Sequence, residues 1–358
     1  MPRIPILIAA FAITTAPATA TTYCATSAAE IQAHLNSAEV NGQHDEVRIQ
    51  SGNYNAPAGG FRFENRFADN FDLTISGGWS PFFNNPCGIR FGSNAFDTEL
   101  RGNNTTRVME IFPNTNTDVR IEMLTFANGN TVGLANPDQG GAGLNLISYV
   151  GYLGSVVIER NVFRSNSAGD FGGGFKGGAG NRFELVNNLF LTNSAECRHG
   201  AASITNNVPT KVNIVSNTVA YNGVGTDCSA DATGGMRLGG DSEALVINNI
   251  FWGNENVDLR LNTLNARLVA NNYAVLLGLP APGSGVDFNL DPQFDGGGFF
   301  PVRLGDQSPL INRGVSPSSS ASWFISADDL DGFERVQSER IDLGAFENRD
   351  RLLMDGFE

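Results

Sequence analysis

NVFRSN (Asn161 to Asn166), NLFLTN (Asn188 to Asn193), NTVAYN (Asn217 to Asn222) and NIFWGN (Asn249 to Asn254) are four copies of one six-residue word, each led in by an apolar run. The leading asparagine recurs after 27, 29 and 32 residues, the mark of a coil repeated along an axis with loops of variable length inserted into it. Leu124 to Gly129 is a degenerate earlier copy that keeps Phe126 in the aromatic slot. Between the copies stands a glycine-led word: GGAGL (Gly140 to Leu144), GGFK (Gly173 to Lys176), HGAASI (His199 to Ile204) and GGMRL (Gly234 to Leu238).

The lead-in to the first full copy, Val156 to Glu159, alternates Val156 and Ile158 toward one face; a turn falls near Asn161, and Phe163 points inward again. Strands this short bury their apolar face only by stacking coil on coil, as parallel strands about 4.8 Å apart. The pattern therefore predicts an all-β, single-stranded right-handed parallel β-helix. Phe163, Phe190 and Phe251 form an inward ladder, each contributing about 1.5–3 kcal/mol by burial, and Val219 in the same slot leaves its coil looser. Asn161, Asn188, Asn217 and Asn249 are read as a structural ladder at one corner. An amide donates and accepts at once, and asparagine tolerates the left-handed turn expected there.

The chain opens with Arg3, an apolar run from Ile6 to Ile13 and Ala18-Thr19-Ala20, which reads as an export signal cleaved before Thr21. The run is too short to span a bilayer, and Tyr23 before Cys24 argues against lipoprotein attachment. Removing Arg3 takes the formal charge from -14 to -15, a surface that repels nucleic acid and anionic lipid. The body, 21–347, is read as one solenoid with a helical cap at about 24–42 and a C-terminal cap at about 287–347; residues 348–358 form a tail. In the N-terminal cap, Ser27 and Glu30 make a capping box and Ile31, Leu35 and Ala38 share a face. Four cysteines in an exported chain favour two disulfides; of the three possible pairings, Cys24–Cys87 and Cys197–Cys228 are preferred, the latter because its members lie in loops of consecutive repeats.

The paired words F-x-x-N and G-G-A-[ILV] resemble the repeats of polymorphic outer-membrane proteins and other right-handed β-helices of the pectin-lyase-like superfamily. The termini are more specific. The opening CATSAAEIQAHL (Cys24 to Leu35) and the closing LDPQF (Leu290 to Phe294), SPLINRG (Ser308 to Gly314), DLDGFER (Asp329 to Arg335) and IDLGAFE (Ile341 to Glu347) resemble bacterial choice-of-anchor Q domain proteins. Asn312 departs from that pattern, which commonly has Asp. The resemblance implies an exported, surface-associated β-helix of a Gram-negative bacterium whose biochemical role is generally unassigned. The ending DGFE (Asp355 to Glu358) is similar to short endings of exported gammaproteobacterial proteins and reads equally as a sorting tag or a disordered end.

Function belongs between the repeat words. Alternation places Asn145, Lys176, Ser203, Arg237 and Arg260 on one outward face, a basic stripe on an acidic chain suited to an acidic glycan or other cell-surface component. The expected role is a secreted, monomeric binding or adhesion module. The alternative is a polysaccharide lyase or hydrolase, for which Lys176, His199 and Arg237 are the catalytic candidates. The carboxylate words of polygalacturonases are missing, leaving only Arg198-His199-Gly200. No cofactor is required by the binding reading; a Ca2+ site would draw on Asp170, Asp231 and Asp241 in neighbouring loops, or on Asp329 and Asp331, whose run lacks the later bidentate glutamate of an EF-hand.

Overall fold

β-branched and aromatic segments of three to seven residues recur along the chain, and each exchanges its backbone hydrogen bonds with the equivalent segment one coil away. In the computed structural model, which describes residues 20–65, 71–90, 94–134, 139–147, 151–206, 211–225, 232–241, 243–263, 265–297, 301–336 and 340–348, these segments form three long sheets. The first sheet includes His44–Gln50, Leu73–Phe82, Val119–Glu122, Val156–Glu159, Arg182–Val186, Lys211–Val215, Glu243–Ile247 and Ala266–Val269; the second includes Thr98–Arg101, Thr125–Ala127, Val162–Arg164, Leu189–Leu191, Thr218–Ala220 and Ile250–Trp252. The third runs from Phe61–Glu64 through Met109–Phe112, Leu144–Leu146, Phe175–Gly177, Ala202–Asn206, Met236–Gly240 and Leu259–Asn262 to Leu276–Leu277. The chain visits first, second and third sheet once per coil, and neighbouring coils pair in parallel. This is a parallel β-helix, with the crossover connections for which the right-handed sense is the rule.

The inward face is built as the alternation predicts. Val156, Ile158 and Phe163 are fully buried. Phe163 stacks between Phe126 and Phe190, with ring centroids 5.0 and 4.6 Å apart and planes within 9°. Val219 occupies the slot between Phe190 and Phe251.

Two asparagine ladders, rather than one, hold the corners on either side of the second sheet. Asn188 shows the pattern: its Nδ2 donates to the Ile158 carbonyl (2.9 Å), the Val186 carbonyl (3.0 Å) and Asn217 Oδ1 (3.0 Å). Its Oδ1 accepts from the backbone N–H (2.9 Å) and Nδ2 (3.2 Å) of Asn161. The ladder continues through Asn217 and Asn249 to Asn271, and a second one runs Asn166, Asn193, Asn222, Asn254. Each terminates on a carboxylate: Asp287 Oδ1 accepts from Asn271, and Asp258 Oδ1 from Asn254. A last rung that only has to accept is best filled by a group with no donor. The left-handed residue at the first corner is not the ladder asparagine but the one before it, Arg160, Asn187, Ser216 and Asn248 in turn. The asparagines are thus kept for their amides, not for their backbone freedom.

At the start of the stack the helix Ala28–Ala38 buries Ile31 and Leu35. Gln32 donates to the Arg62 carbonyl (2.8 Å) and accepts from its N–H (2.9 Å), so a side-chain amide covers part of the open edge of Phe61–Glu64. Cys24 is bonded to Cys87 on the hairpin strand Asn85–Ile89. Cys197 is also disulfide-bonded, while Cys228, its expected partner, lies outside the described residues, as do 1–19 and the tail beyond 348.

From about residue 288 the chain leaves the coils and returns along their outer side. Val302, Leu330, Ala345 and Phe346 pack on Val162, Leu189, Leu191 and Ala220, and Trp323, Phe324 and Ile325 pack on Val186, Val215 and Ile247. The Ser322 carbonyl accepts from Arg182 and Asn213, and Ser326 Oγ donates to Glu159 Oε1 at 2.7 Å. Beneath this returning segment Glu184 is 1 % exposed, hydrogen-bonded to Arg182 and Asn213, and its Oε2 has no partner among the described residues.

Burial raises three carboxylates at this junction. Glu184 is pushed up by desolvation, with nearby Glu159 adding; Asp329 by desolvation, with Asp331 adding; and Glu347 to about 8 by desolvation, with Asp342 and Asp329 adding and Arg335 opposing. A carboxyl whose pKa rises on docking favours the docked state while it is protonated. That contribution is complete below the ordinary carboxylate range and is lost as pH rises, for Glu347 between about 4.5 and about 8. We therefore expect amide exchange of residues 322–336 and 340–347, corrected for intrinsic rate, to speed up from pH 5 to pH 9 by more than exchange of Val156–Glu159 does. Equal acceleration of both segments would contradict the assignment.

Candidate functional site

The corner leading into the third sheet is packed backbone against backbone, which fixes where its outward side chains stand. A Cβ on Gly173 would lie 2.2 Å from the Ser194 carbonyl oxygen and one on Gly200 2.0 Å from that of Gly223. Only glycine permits that approach, and it sets the strands that follow in register. The register row is Arg62, Glu110, Asn145, Lys176, Ser203, Arg237, Arg260 and Leu277. All five residues expected to share one face do so, in the expected order.

The row is not uniformly basic, and it is less open than outward strand positions usually are. At its first end Glu110 is paired with buried Arg107 (2.6 Å) and accepts from Asn145 Nδ2 (3.0 Å), while Asn145 Oδ1 is buried with no partner among the described residues. From Lys176 onward the row turns cationic. Asn145, Ser203 and Arg260 are less than a tenth exposed, and Lys176 and Arg237 are half-buried.

Around the basic half a cavity of about 200 Å³ is lined by Phe171, Arg198, His199, Ser203, Thr205, Arg237 and Asn262. Arg237 donates to Thr205 Oγ1 (2.6 Å) and Arg260 Nε to Thr233 Oγ1 (3.0 Å). Lys176 Nζ and Arg198 Cζ lie 4.8 and 5.0 Å from the centre of the Phe171 ring, which holds both heads by cation–π attraction. Arg198 also grips Asp170 in bidentate fashion, at 2.8 and 2.7 Å from one terminal nitrogen to the two carboxylate oxygens. Asp170 is thereby engaged by a guanidinium rather than presented to a cation.

His199 is 6 % exposed, sits at φ 55°, and its Nδ1 has no hydrogen-bond partner among the described residues. Burial, then the charges of Arg237, Arg198 and Arg260, push its pKa down to about 3. At neutral pH the ring is a neutral donor and acceptor and a weak base, so its position suits binding better than proton abstraction.

A second, larger groove of about 800 Å³ lies on the leading edge of the first sheet. It is lined by Asn181, Arg182, Lys211, Asp241, Glu243, Asn265, Arg267, Ala281 and Pro282, with Arg182, Lys211 and Glu243 in one register row. Of these residues only Asp241 is a candidate on sequence grounds. The available signal was Lys211, one of two lysines in the chain, facing the acids that follow Gly239-Gly240 in the next coil.

The remaining acidic candidates are engaged elsewhere. Asp329 is fully buried; its Oδ1 accepts from the backbone N–H groups of Asp331 and Phe333 and its Oδ2 from that of Glu347. Asp331 pairs with Arg303 through both oxygens. Asp231 lies outside the described residues, and among those described no group of three or more His, Cys, Asp or Glu converges as a metal cage. Asn312 stands at positive φ and gives its backbone N–H to Asp342 Oδ1 (2.7 Å), so a carboxylate near that position comes from a different residue.

No family profile matches the chain, and no curated protein does. Among solved structures, the crystal structure of pectate lyase Pel9A is similar with a TM-score of 0.41 and 13% identity, over 88% of this chain and 90% of that one. The assignment to a parallel β-helix rests on the chain's own sheet register. No helix among the described residues is long and apolar enough to cross a membrane.

Proposed function

We propose that this chain is an exported polysaccharide-binding module whose recognition face is the basic half of the third sheet, and that its ligand is an acidic glycan. One observation supports this above the rest. On a chain with a net charge of -14, Lys176, Arg237 and Arg260 stand in one register row, and Arg237 lines a cavity together with Arg198. A concentrated positive patch on an acidic protein draws a polyanion to one place and repels it elsewhere, and coils about 4.8 Å apart present charges periodically to an extended chain. The resemblance to choice-of-anchor Q proteins and the disulfides favour a surface or extracellular setting.

Retention on immobilised glycans tests this reading. Acidic glycans should retain the protein, less so as salt rises, and the double substitution Lys176→Gln, Arg237→Gln should weaken retention about tenfold or more, the loss of roughly 1.4 kcal/mol. Retention on neutral glycans alone, or unchanged retention of the variant, would contradict it.

A second reading, cleavage of an acidic glycan, is favoured by the first-sheet groove, where Asp241 and Glu243 face the same space as Lys211 and Arg182. Hydrolysis requires two carboxylates on one groove; elimination requires a base beside groups that offset the uronate charge. The assay is release of reducing ends and of unsaturated product, with and without calcium. Activity abolished by Glu243→Gln or Asp241→Asn would establish cleavage, and no product from any acidic glycan would remove it.

A further inference from the structure

The third-sheet cavity holds more chemical detail than a general affinity for acid groups. Its walls come from several coils: Arg198 and His199 precede the strand that bears Ser203 and Thr205, Arg237 comes from the next coil and Asn262 from the one after. Among the described residues, none of these walls is a carboxylate. Two guanidinium groups therefore share the cavity with neutral donors, two hydroxyls, an amide and the unpartnered Nδ1 of a buried imidazole.

That arrangement has a preferred shape of ligand. A carboxylate is planar, and one guanidinium satisfies it edge to edge, as Arg198 does for Asp170 through Nε on Oδ1 (3.0 Å) and a terminal nitrogen on Oδ2 (2.7 Å). Donors converging from separate coils instead match a group whose acceptor oxygens point in three directions. We infer that the cavity recognises a tetrahedral oxyanion ester, a sulfate or phosphate group carried on the glycan, in preference to a uronate carboxylate. Arg237 supplies charge, Arg198 adds the donors that its pairing with Asp170 leaves over, and Ser203, Thr205 and His199 supply neutral hydrogen bonds around it. This inference rests on the third-sheet reading above, and it assigns which acidic group that face selects.

The test is binding of the full exported chain to dextran sulfate, a phosphomannan, polygalacturonate and neutral dextran at one salt concentration, followed by competition with inorganic sulfate and with acetate. The expected result is that at least one of the sulfated and phosphorylated polymers binds tenfold or more tighter than polygalacturonate, with the stronger of the two identifying the ester. Inorganic sulfate should displace it at concentrations where acetate does not, and Arg237→Gln with Ser203→Ala should remove the preference while circular dichroism stays unchanged. Competition on the unaltered protein keeps the test independent of how the variant folds. Polygalacturonate binding as tightly as both ester polymers would overturn this inference and leave the acidic-glycan reading standing. No binding to any charged polymer would overturn both.

Discussion

Asn188→Ala should destabilise the protein by about 4 kcal/mol, among the largest effects available to a single residue outside the aromatic core. The amide makes three donations and two acceptances, all buried. Deleting it leaves the backbone N–H and Nδ2 of Asn161 without their shared acceptor and removes a donor from the carbonyls of Ile158 and Val186. Each buried group left unsatisfied costs about 1–3 kcal/mol, partly relieved by relaxation. Asn188→Asp should be comparably severe, because a carboxylate can accept from Asn161 but has nothing to donate to the next rung. The same chemistry reversed at the ladder's end, Asp287→Asn, should be mild. Urea unfolding of the three variants measures this, and a loss below about 1 kcal/mol for Asn188→Ala would show that the ladder is ornamental to stability.

Phe163→Ala is expected to cost about 3–5 kcal/mol. The ring is fully buried and stacked on both faces, so its removal opens a cavity that Phe126 and Phe190 cannot both collapse into without breaking the coil spacing. Val219→Ala, in the same ladder but with fewer atoms to lose, should cost less than half as much. If the two substitutions proved equal in thermal or urea unfolding, the aromatic stack would contribute nothing beyond its neighbours in the ladder.

These effects show why the fold was legible and where legibility stopped. A period of two within strands and a period of one coil between them fix both the side and the row of each residue. That is why Asn145, Lys176, Ser203, Arg237 and Arg260 could be placed together without coordinates. Their partners could not be. That Arg198 would turn to Asp170, or that Arg237 would meet Thr205, depends on side chains at corners where loop length varies. The second asparagine ladder was present in the last letter of every repeat word, yet it needed the register of Asn166 on Asn193 to be recognised as a ladder. The left-handed corner falls one residue before the position where asparagine's tolerance for that conformation predicts it, because the ladder asparagine is there for its amide.

The returning C-terminal segment was the least visible part. Leu310, Ile311, Leu343 and Phe346 occur in words without period, and Ser326 meets Glu159 across 167 residues of sequence. Nothing local specifies such a contact; it is decided by which apolar outer faces the coils leave uncovered. The first-sheet groove escaped for a related reason, since Lys211 and Glu243 are ordinary exposed charges until the coils stack them.

Ligand is expected to occupy the third-sheet row rather than the first-sheet groove. Hydrogen exchange with and without a retained acidic glycan measures this directly. Slower exchange is expected in Phe175–Gly177, Ala202–Asn206 and Met236–Gly240, with Arg182–Val186 and Glu243–Ile247 unchanged. Protection confined to the latter two strands would contradict it and move the function to the groove holding Asp241 and Glu243.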